Sequence, residues 1–364
     1  DMLNQWDHIV SGLSAAQEQY GERIVSLGLD TWGVDFGLLG KNDELISNPF
    51  HYRDSQLDGI LEWGFERVSR EEIFAQTGLQ FMQINSLFQL LALQRRESPI
   101  LEFAESLLMI PDLFNWLLTG EKVNEFTNAT TTQLLNPATN QWATGLMDQF
   151  GLPAKILGEI AQPGTKLGKL RSSVAKEVGN AEIEVVLPGT HDTASAVMAV
   201  PSTEPLSNQP NWCYISSGTW SLMGVEVADP IINQQCLDLN FTNEGGVGGS
   251  VRVLKNITGL WIVQQCRDAW LEAGTEYGWG QLVELAEEST PLVSFIDPDD
   301  PSFAMPESMP EAIQRFCSNT GQTVPETPGA IIRCALESLA LKYHSVLGML
   351  ESLTKGSIEL VHIV

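Results

Sequence analysis

Residues 183–200 read Ile-Glu-Val-Val-Leu-Pro-Gly-Thr-His-Asp-Thr-Ala-Ser-Ala-Val-Met-Ala-Val. The apolar run from Ile183 to Leu187 predicts a buried strand, and the small residues from Thr193 to Val200 predict a helix. Between them stand Gly189, Thr190, His191 and Asp192, so one carboxylate sits at the carboxyl end of a strand where a helix begins. In open α/β sheets ligands bind at that end. Downstream, Ser216, Ser217, Gly218 and Thr219 form a short segment of backbone donors and hydroxyls. A proton-accepting carboxylate followed by an oxyanion-holding loop suits phosphoryl transfer to a hydroxyl.

Strand and helix patterns alternate outward from this stretch, which predicts an α/β fold with parallel pairing. Arg23 to Asp30 reads as a strand, Gly33 breaks it, and Val34 to Leu39 reads as a returning strand. Residues 70–120 carry apolar residues at helical spacing, including Leu87, Leu90, Leu91, Leu107, Leu108 and Ile110, and Thr119-Gly120 closes the region. Residues 124–136 form a hydroxyl-rich loop. Residues 201–211 hold three prolines among turn formers and mark the expected boundary between domains at 1–200 and 201–364. Beyond it, Trp212 to Ile215 and Ser221 to Val227 read as a hairpin. Ile257 to Ala273 and Pro328 to Leu353 read as long amphipathic helices.

The chain of 364 residues is 43% hydrophobic, enough for about two domains, and its 46 acidic against 20 basic residues give a net charge of −26. Such a surface repels nucleic acid and anionic membranes. A nucleotide would have to be held by Mg²⁺, backbone N–H groups and helix N-termini rather than by a basic pocket. Cys213, Cys236, Cys266, Cys317 and Cys334 are odd in number and show no Cys-x-x-Cys spacing, so they predict free thiols in a reducing cytoplasm rather than a disulfide framework or a zinc site. No signal peptide or membrane span is legible. Asn128, Asn240 and Asn256 begin glycosylation-type triplets, read as chance matches.

Each candidate residue has a structural alternative. Asp192 is either a general base or a helix N-cap. His191 is either a donor to a sugar hydroxyl or a loop histidine. Ser216 to Thr219 either cradle a phosphate with successive N–H groups and the Thr219 hydroxyl, or form a hairpin turn. Gly33 allows close approach of a ligand, and Trp32 offers a flat face to a sugar ring; a tight turn with a packed Trp explains both equally. His51 to Asp54 is a polar cluster whose Arg-Asp pair needs no function. Asn256 is expected to open a helix, and Gln264 to lie two turns further along it. Gly164 to Lys169 has the wrong spacing for a Walker A loop.

The order of these pieces narrows the choice. Gly-Leu-Asp-Thr-Trp-Gly-Val-Asp-Phe at 28–36, His-Tyr-Arg-Asp at 51–54, Thr-Asn-Ala-Thr-Thr-Thr-Gln-Leu at 127–134 and Gly-Thr-His-Asp-Thr-Ala-Ser-Ala-Val at 189–197 come first. Ile-Ser-Ser-Gly-Thr-Trp-Ser-Leu-Met-Gly at 215–224, Thr-Asn-Glu-Gly-Gly at 242–246 and Val-Leu-Lys-Asn-Ile-Thr-Gly-Leu-Trp at 253–261 follow. Together they resemble the FGGY carbohydrate kinases, and within them those acting on rhamnulose. The resemblance implies the actin/hexokinase-like (ribonuclease H-like) α/β fold of two domains flanking a cleft. It implies ATP-dependent phosphorylation of L-rhamnulose at its 1-hydroxyl, with Mg²⁺. By matched motif, Asp192 is similar to the catalytic base. Gly33, His191, Thr193 and Asn256 are similar to sugar contacts. Thr219, with Gly218 beside it, and Gln264 are similar to nucleotide contacts; no residue is assigned to metal.

Family members begin with a phosphate loop and continue into a glycine-rich adenosine-binding loop, and neither motif lies between Asp1 and Val364. The chain is therefore read as a piece cut at both ends, expected to fold incompletely and to be inactive by itself. Rival expectations are another FGGY kinase acting on xylulose or fuculose, a glycoside hydrolase using Asp30 and Asp192, and a non-catalytic actin-like sugar or nucleotide sensor.

Overall fold

The structure is a computed structural model that describes residues 1–202 and 205–364. Thr203 and Glu204, inside the expected boundary segment, lie outside the described residues. The chain divides into two units, one of Asp1–Asn208 with Glu226–Val253, the other of Gln209–Val225 with Leu254–Val364. The strands Trp220–Val227 and Val251–Thr258 each pass from one unit into the other. Residues between them belong to the first unit because their polar groups bond there: the Asn243 amide donates to the Gly78 carbonyl at 2.8 Å, and the Gly245 N–H to the Thr130 hydroxyl at 2.9 Å.

In the first unit, Glu184–Val186 is the middle strand of three. It pairs in parallel with Ser26–Leu27 and antiparallel with Lys166–Lys169. Helix Met2–Tyr20, capped by the Asp1 carboxylate and ended at Gly21, lays Val10 against Val174, Val178, Ile183 and Val185. Phe36–Leu39, buried at every position, does not return onto the preceding strand. It pairs antiparallel with Ser106–Met109. An apolar stretch with no polar face needs cover on both sides, and the apolar 106–109 segment supplies an edge that the two-residue strand Ser26–Leu27 does not. Leu107 and Leu108 are thus in a strand rather than in the helix their spacing suggested, since a short apolar run fits either period. The helix starts after them, at Ile110 with Pro111 in its first turn, and ends at Thr119 with Gly120 in the left-handed conformation.

In the second unit, Trp212–Ser217 and Trp220–Val227 form the expected antiparallel pair, and Trp212–Ser217 also pairs in parallel with Leu360–Ile363. The helices Trp261–Glu272, Trp279–Glu288, Met309–Asn319 and Pro328–Thr354 share one core around Ile262, Phe303, Ile313 and Ile332. The first of these begins later than the sequence pattern suggests. Ile257 and Thr258 still belong to the strand Val251–Thr258, and the turn falls at Gly259. A Cβ at Gly259 would lie 2.6 Å from Ser221 Oγ and 2.7 Å from the Trp220 carbonyl carbon, so only glycine allows that crossing.

All five cysteines are free and buried. Among the described residues, no helix is long and apolar enough to cross a membrane.

Candidate active site

Strand Glu184–Val186 delivers Thr190, His191 and Asp192 to the start of helix Asp192–Met198. The turn that begins at Asp30 runs alongside. Thr31 N–H donates to the Thr190 carbonyl at 2.9 Å, and Asp192 N–H to the Thr31 carbonyl at 2.9 Å. Gly33 and the His191-Asp192 pair, distant in sequence, are therefore neighbours. A third segment anchors both. Glu125, wholly buried, accepts from Thr190 N–H at 3.0 Å and the Thr190 hydroxyl at 2.8 Å, and from the N–H groups of Thr127 and Asn128. The Asn128 amide bridges the carbonyls of Trp32 and Thr190. Next to Glu125 lies Asp112, whose carboxyl is pushed well above the usual carboxylate range by burial and then by the Glu125 charge. One of its oxygens has no hydrogen-bond partner among the described residues, which a neutral acid tolerates better than a carboxylate.

The turn at 32–35 is strained. Asp35 N–H donates to the Gly33 carbonyl at 2.8 Å, closing a three-residue γ-turn about Val34, whose φ is +65°. A β-branched residue avoids that region. Three side chains hold it there: Thr131 accepts from Val34 N–H at 3.0 Å, and Ser86 and Gln89 donate to the Val34 carbonyl. Asp35 fastens the far side, accepting from the Trp32 indole and from Gln89, each at 2.9 Å. Burial raises its carboxyl above the ordinary value in spite of those bonds. Strain held this tightly is characteristic of functional turns. The Trp32 indole N–H is spent on Asp35.

A Cβ on Gly33 would lie 2.8 Å from Thr131 Oγ1 and 2.9 Å from its Cγ2, displacing the hydroxyl that holds Val34. Gly33→Ala is expected to cost about 1–3 kcal/mol of stability, read as a lower urea midpoint. Gly145→Ala, with nothing within 4 Å, should cost nothing. Equal midpoints for the two variants would contradict this account.

Asp192 opens its helix without capping it. The cap position is His191, and the Asp192 Oδ1 atom accepts from the adjacent Thr193, at 2.6 Å from N–H and 3.3 Å from the hydroxyl. Its side chain is 56% exposed, whereas that of His191 is 8% exposed, with Nε2 3.5 Å from Asp192 Oδ1. A reachable carboxylate on a buried frame can take a proton from a bound hydroxyl. Behind His191 stand two residues that the sequence did not single out. Its Nδ1 is 3.1 Å from Arg252 Nη2 and 3.4 Å from Glu244 Oε2. Arg252, fully buried, also bonds Glu244 at 3.1 Å and the Gly245 carbonyl at 3.1 Å. Burial alone would raise Glu244, but its contacts with His191 and Arg252 outweigh it and hold the carboxyl below its ordinary value. The Thr-Asn-Glu-Gly-Gly motif pointed at Glu244 without giving it a role.

The second unit brings together the other candidates. Ser216 and Ser217 are strand residues, paired with Leu222 and Ser221, so only Gly218 and Thr219 form the turn. The N–H groups of Ser217 and Gly218 are bonded to the carbonyls of Val364 and Trp220. The expected cradle of successive free N–H groups is therefore reduced, because strand pairing consumes them. What remains is the Thr219 hydroxyl, which donates to Gln264 Oε1 at 3.2 Å, with the Gly218 and Thr219 carbonyls accepting from Leu260 and Trp261 N–H. Thr219 and Gln264 are thus side by side. Asn256 lies within the strand Val251–Thr258 and does not open a helix, so capping does not account for it. Among the described residues no group of three or more His, Cys, Asp or Glu is arranged to hold a metal ion.

The model of the FGGY family of carbohydrate kinases, N-terminal domain, matches residues 1–199, and that of the C-terminal domain matches residues 213–364. A rhamnulokinase of Bacteroides thetaiotaomicron is 44% identical over 364 residues, all of this chain and 73% of that protein. A rhamnulokinase of Halalkalibacterium halodurans is 42% identical over 359 residues, 99% of this chain and 74% of that protein. Among solved structures, a ligand-bound xylulose kinase from Lactobacillus acidophilus superposes with a TM-score of 0.76 at 16% identity, over all of this chain and 72% of that one. A Plasmodium falciparum glycerol kinase with ADP gives 0.73 at 13% identity, over all of this chain and 73% of that one. At such identities these two share the fold, the actin/hexokinase-like α/β architecture.

Proposed function

The chain belongs to the FGGY family of carbohydrate kinases, and on that footing we propose that it transfers the γ-phosphoryl group of ATP to the 1-hydroxyl of L-rhamnulose. The observation that carries the chemistry is Asp192: an exposed carboxylate at a strand end, on a frame built from Glu125, Thr31 and the strained turn at Val34. As the sugar oxygen attacks the γ-phosphorus, its proton passes to Asp192. The bond from phosphorus to the bridging oxygen breaks, and ADP departs with that electron pair.

His191, Thr193 and the backbone at Gly33 would orient the ketose, with Asn256 as a further sugar contact. Thr219, Gly218 and Gln264 would hold the nucleotide. The paired Thr219 hydroxyl and Gln264 amide suit a polar ligand, and neither side chain carries a charge. Mg²⁺ would enter on the nucleotide phosphates and keep most of its waters, a mode that needs few protein carboxylates. The five buried thiols suit a reducing cytoplasm.

The test is a panel of ketoses and aldoses with MgATP on the intact protein, reading ADP release. L-Rhamnulose should exceed L-fuculose and D-xylulose in kcat/KM by at least about tenfold, because sites that hydrogen-bond hydroxyls discriminate strongly. A preference for another ketose would overturn the sugar, and sugar-independent ATP turnover would overturn the transfer.

A further inference from the structure

We propose that Arg252 is a positioning residue that fixes the His191 ring with its proton on Nε2, the nitrogen turned to Asp192. The proposal rests on Asp192 being the base, and deepens it by saying what keeps its neighbour a donor.

A guanidinium donates hydrogen bonds, accepts none and keeps its proton in proteins. Arg252 Nη2 lies 3.1 Å from His191 Nδ1, which is a hydrogen bond only if Nδ1 carries a lone pair. The ring proton is then on Nε2, 3.5 Å from Asp192 Oδ1. The opposite tautomer would donate from Nδ1 to Glu244 at a longer 3.4 Å and set two donors face to face at 3.1 Å. Glu244 is engaged at 3.1 Å by the same Nη2 nitrogen, and its role is to balance the buried Arg252.

The charged groups around the ring are Asp192 on its own helix, Glu244 on strand Thr242–Gly245 and Arg252 on strand Val251–Thr258, with Glu125 bonded to the preceding residue. Arg252 Nε is held by the Gly245 carbonyl, while its buried Nη1 has no partner among the described residues. With the proton on Nδ1 instead, a lone pair on Nε2 would face the Asp192 carboxylate. Two acceptors would then repel with no donor to offset them, turning the base away from its substrate, whereas the Nδ1 lone pair, 3.4 Å from Glu244, is bonded by Arg252.

The experiment is a long-range ¹H–¹⁵N spectrum of the intact, ¹⁵N-histidine-labelled protein without substrates, assigned with His191→Gln. The expected result is a protonated Nε2 and a bare Nδ1 at neutral pH. A protonated Nδ1 at neutral pH overturns the proposal. Arg252→Met should move the proton to Nδ1, towards Glu244, and lower kcat about 10²-fold, the cost of a misaligned group, with KM for ATP unchanged. Arg252→Lys, which still donates, should restore the Nε2 tautomer. If Arg252→Met fails to fold, the wild-type spectrum and Glu244→Gln still decide: Glu244→Gln leaves the donor in place and should keep the tautomer. Because the spectrum needs no sugar, a failed ketose panel with an Nε2 proton counts against the reaction, and an Nδ1 proton with an active kinase counts against Arg252.

Discussion

Asp192→Asn is expected to lower kcat by about 10²–10⁴-fold, the range for loss of a general base, while ketose binding and stability are kept. The amide has the shape of the carboxylate, and its oxygen can still accept from Thr193 N–H, so the helix start is preserved. With 56% of the side chain exposed, no buried charge is created or stranded. What the amide cannot do is accept the sugar's proton, so the attacking oxygen must lose it to water. The loss amounts to roughly 3–5 kcal/mol in the transition state. Steady-state kinetics with calorimetric titration of the ketose separates the two effects. An unchanged kcat would remove the base from the mechanism, and lost binding with a proportionate fall in kcat/KM would make Asp192 a sugar ligand instead. A nucleotide or sugar sensor would show neither change.

Asp192 and His191 were legible because strand, glycine turn and helix start are consecutive in the chain, and local pattern reports on consecutive residues. The hairpin of Trp212–Ser217 with Trp220–Val227 was legible for the same reason. Glu125, Glu244 and Arg252 were not. Glu125 acts on Thr190 across 65 residues and Arg252 on His191 across 61, and no spacing rule connects positions so far apart. Their burial was hidden too, since Arg and Glu ordinarily belong to the surface unless paired. Val34 gave no sign of its left-handed backbone, because the three groups that impose it come from Ser86, Gln89 and Thr131. Leu107 and Leu108 misled for a different reason: four apolar residues satisfy a buried strand and a buried helix equally. Asn256 was placed on a helix because nothing local reveals that Gly259, crossing the Trp220–Ser221 backbone, is where the strand ends.

Glu125→Ala is expected to cost about 3–5 kcal/mol, the range for breaking a buried charged network, and to lower Tm by roughly 6–20 °C. The carboxylate is fully buried and accepts from Thr127 N–H and hydroxyl, Asn128 N–H, and Thr190 N–H and hydroxyl. Alanine strands three backbone donors that cannot turn elsewhere, each costing about 1–3 kcal/mol when buried unpaired; the two hydroxyls can rotate. Thr190 also carries His191 and Asp192, so kcat should fall with stability rather than independently of it. The pH dependence identifies the cause. Asp112 holds its proton to higher pH in the folded state than in the unfolded one, because burial, and then the Glu125 charge, raise its carboxyl well above 3.8. Unfolding releases that proton, so the stability Asp112 contributes is full below its unfolded value and is lost as pH rises towards the folded one. Removing Glu125 abolishes the second cause and leaves the first, which narrows that window. The deficit of the variant should therefore be larger near pH 4 than near pH 8, measured by urea unfolding at each. A deficit that grows with pH, or none at all, would mean that the carboxylate does not hold the strand end in place.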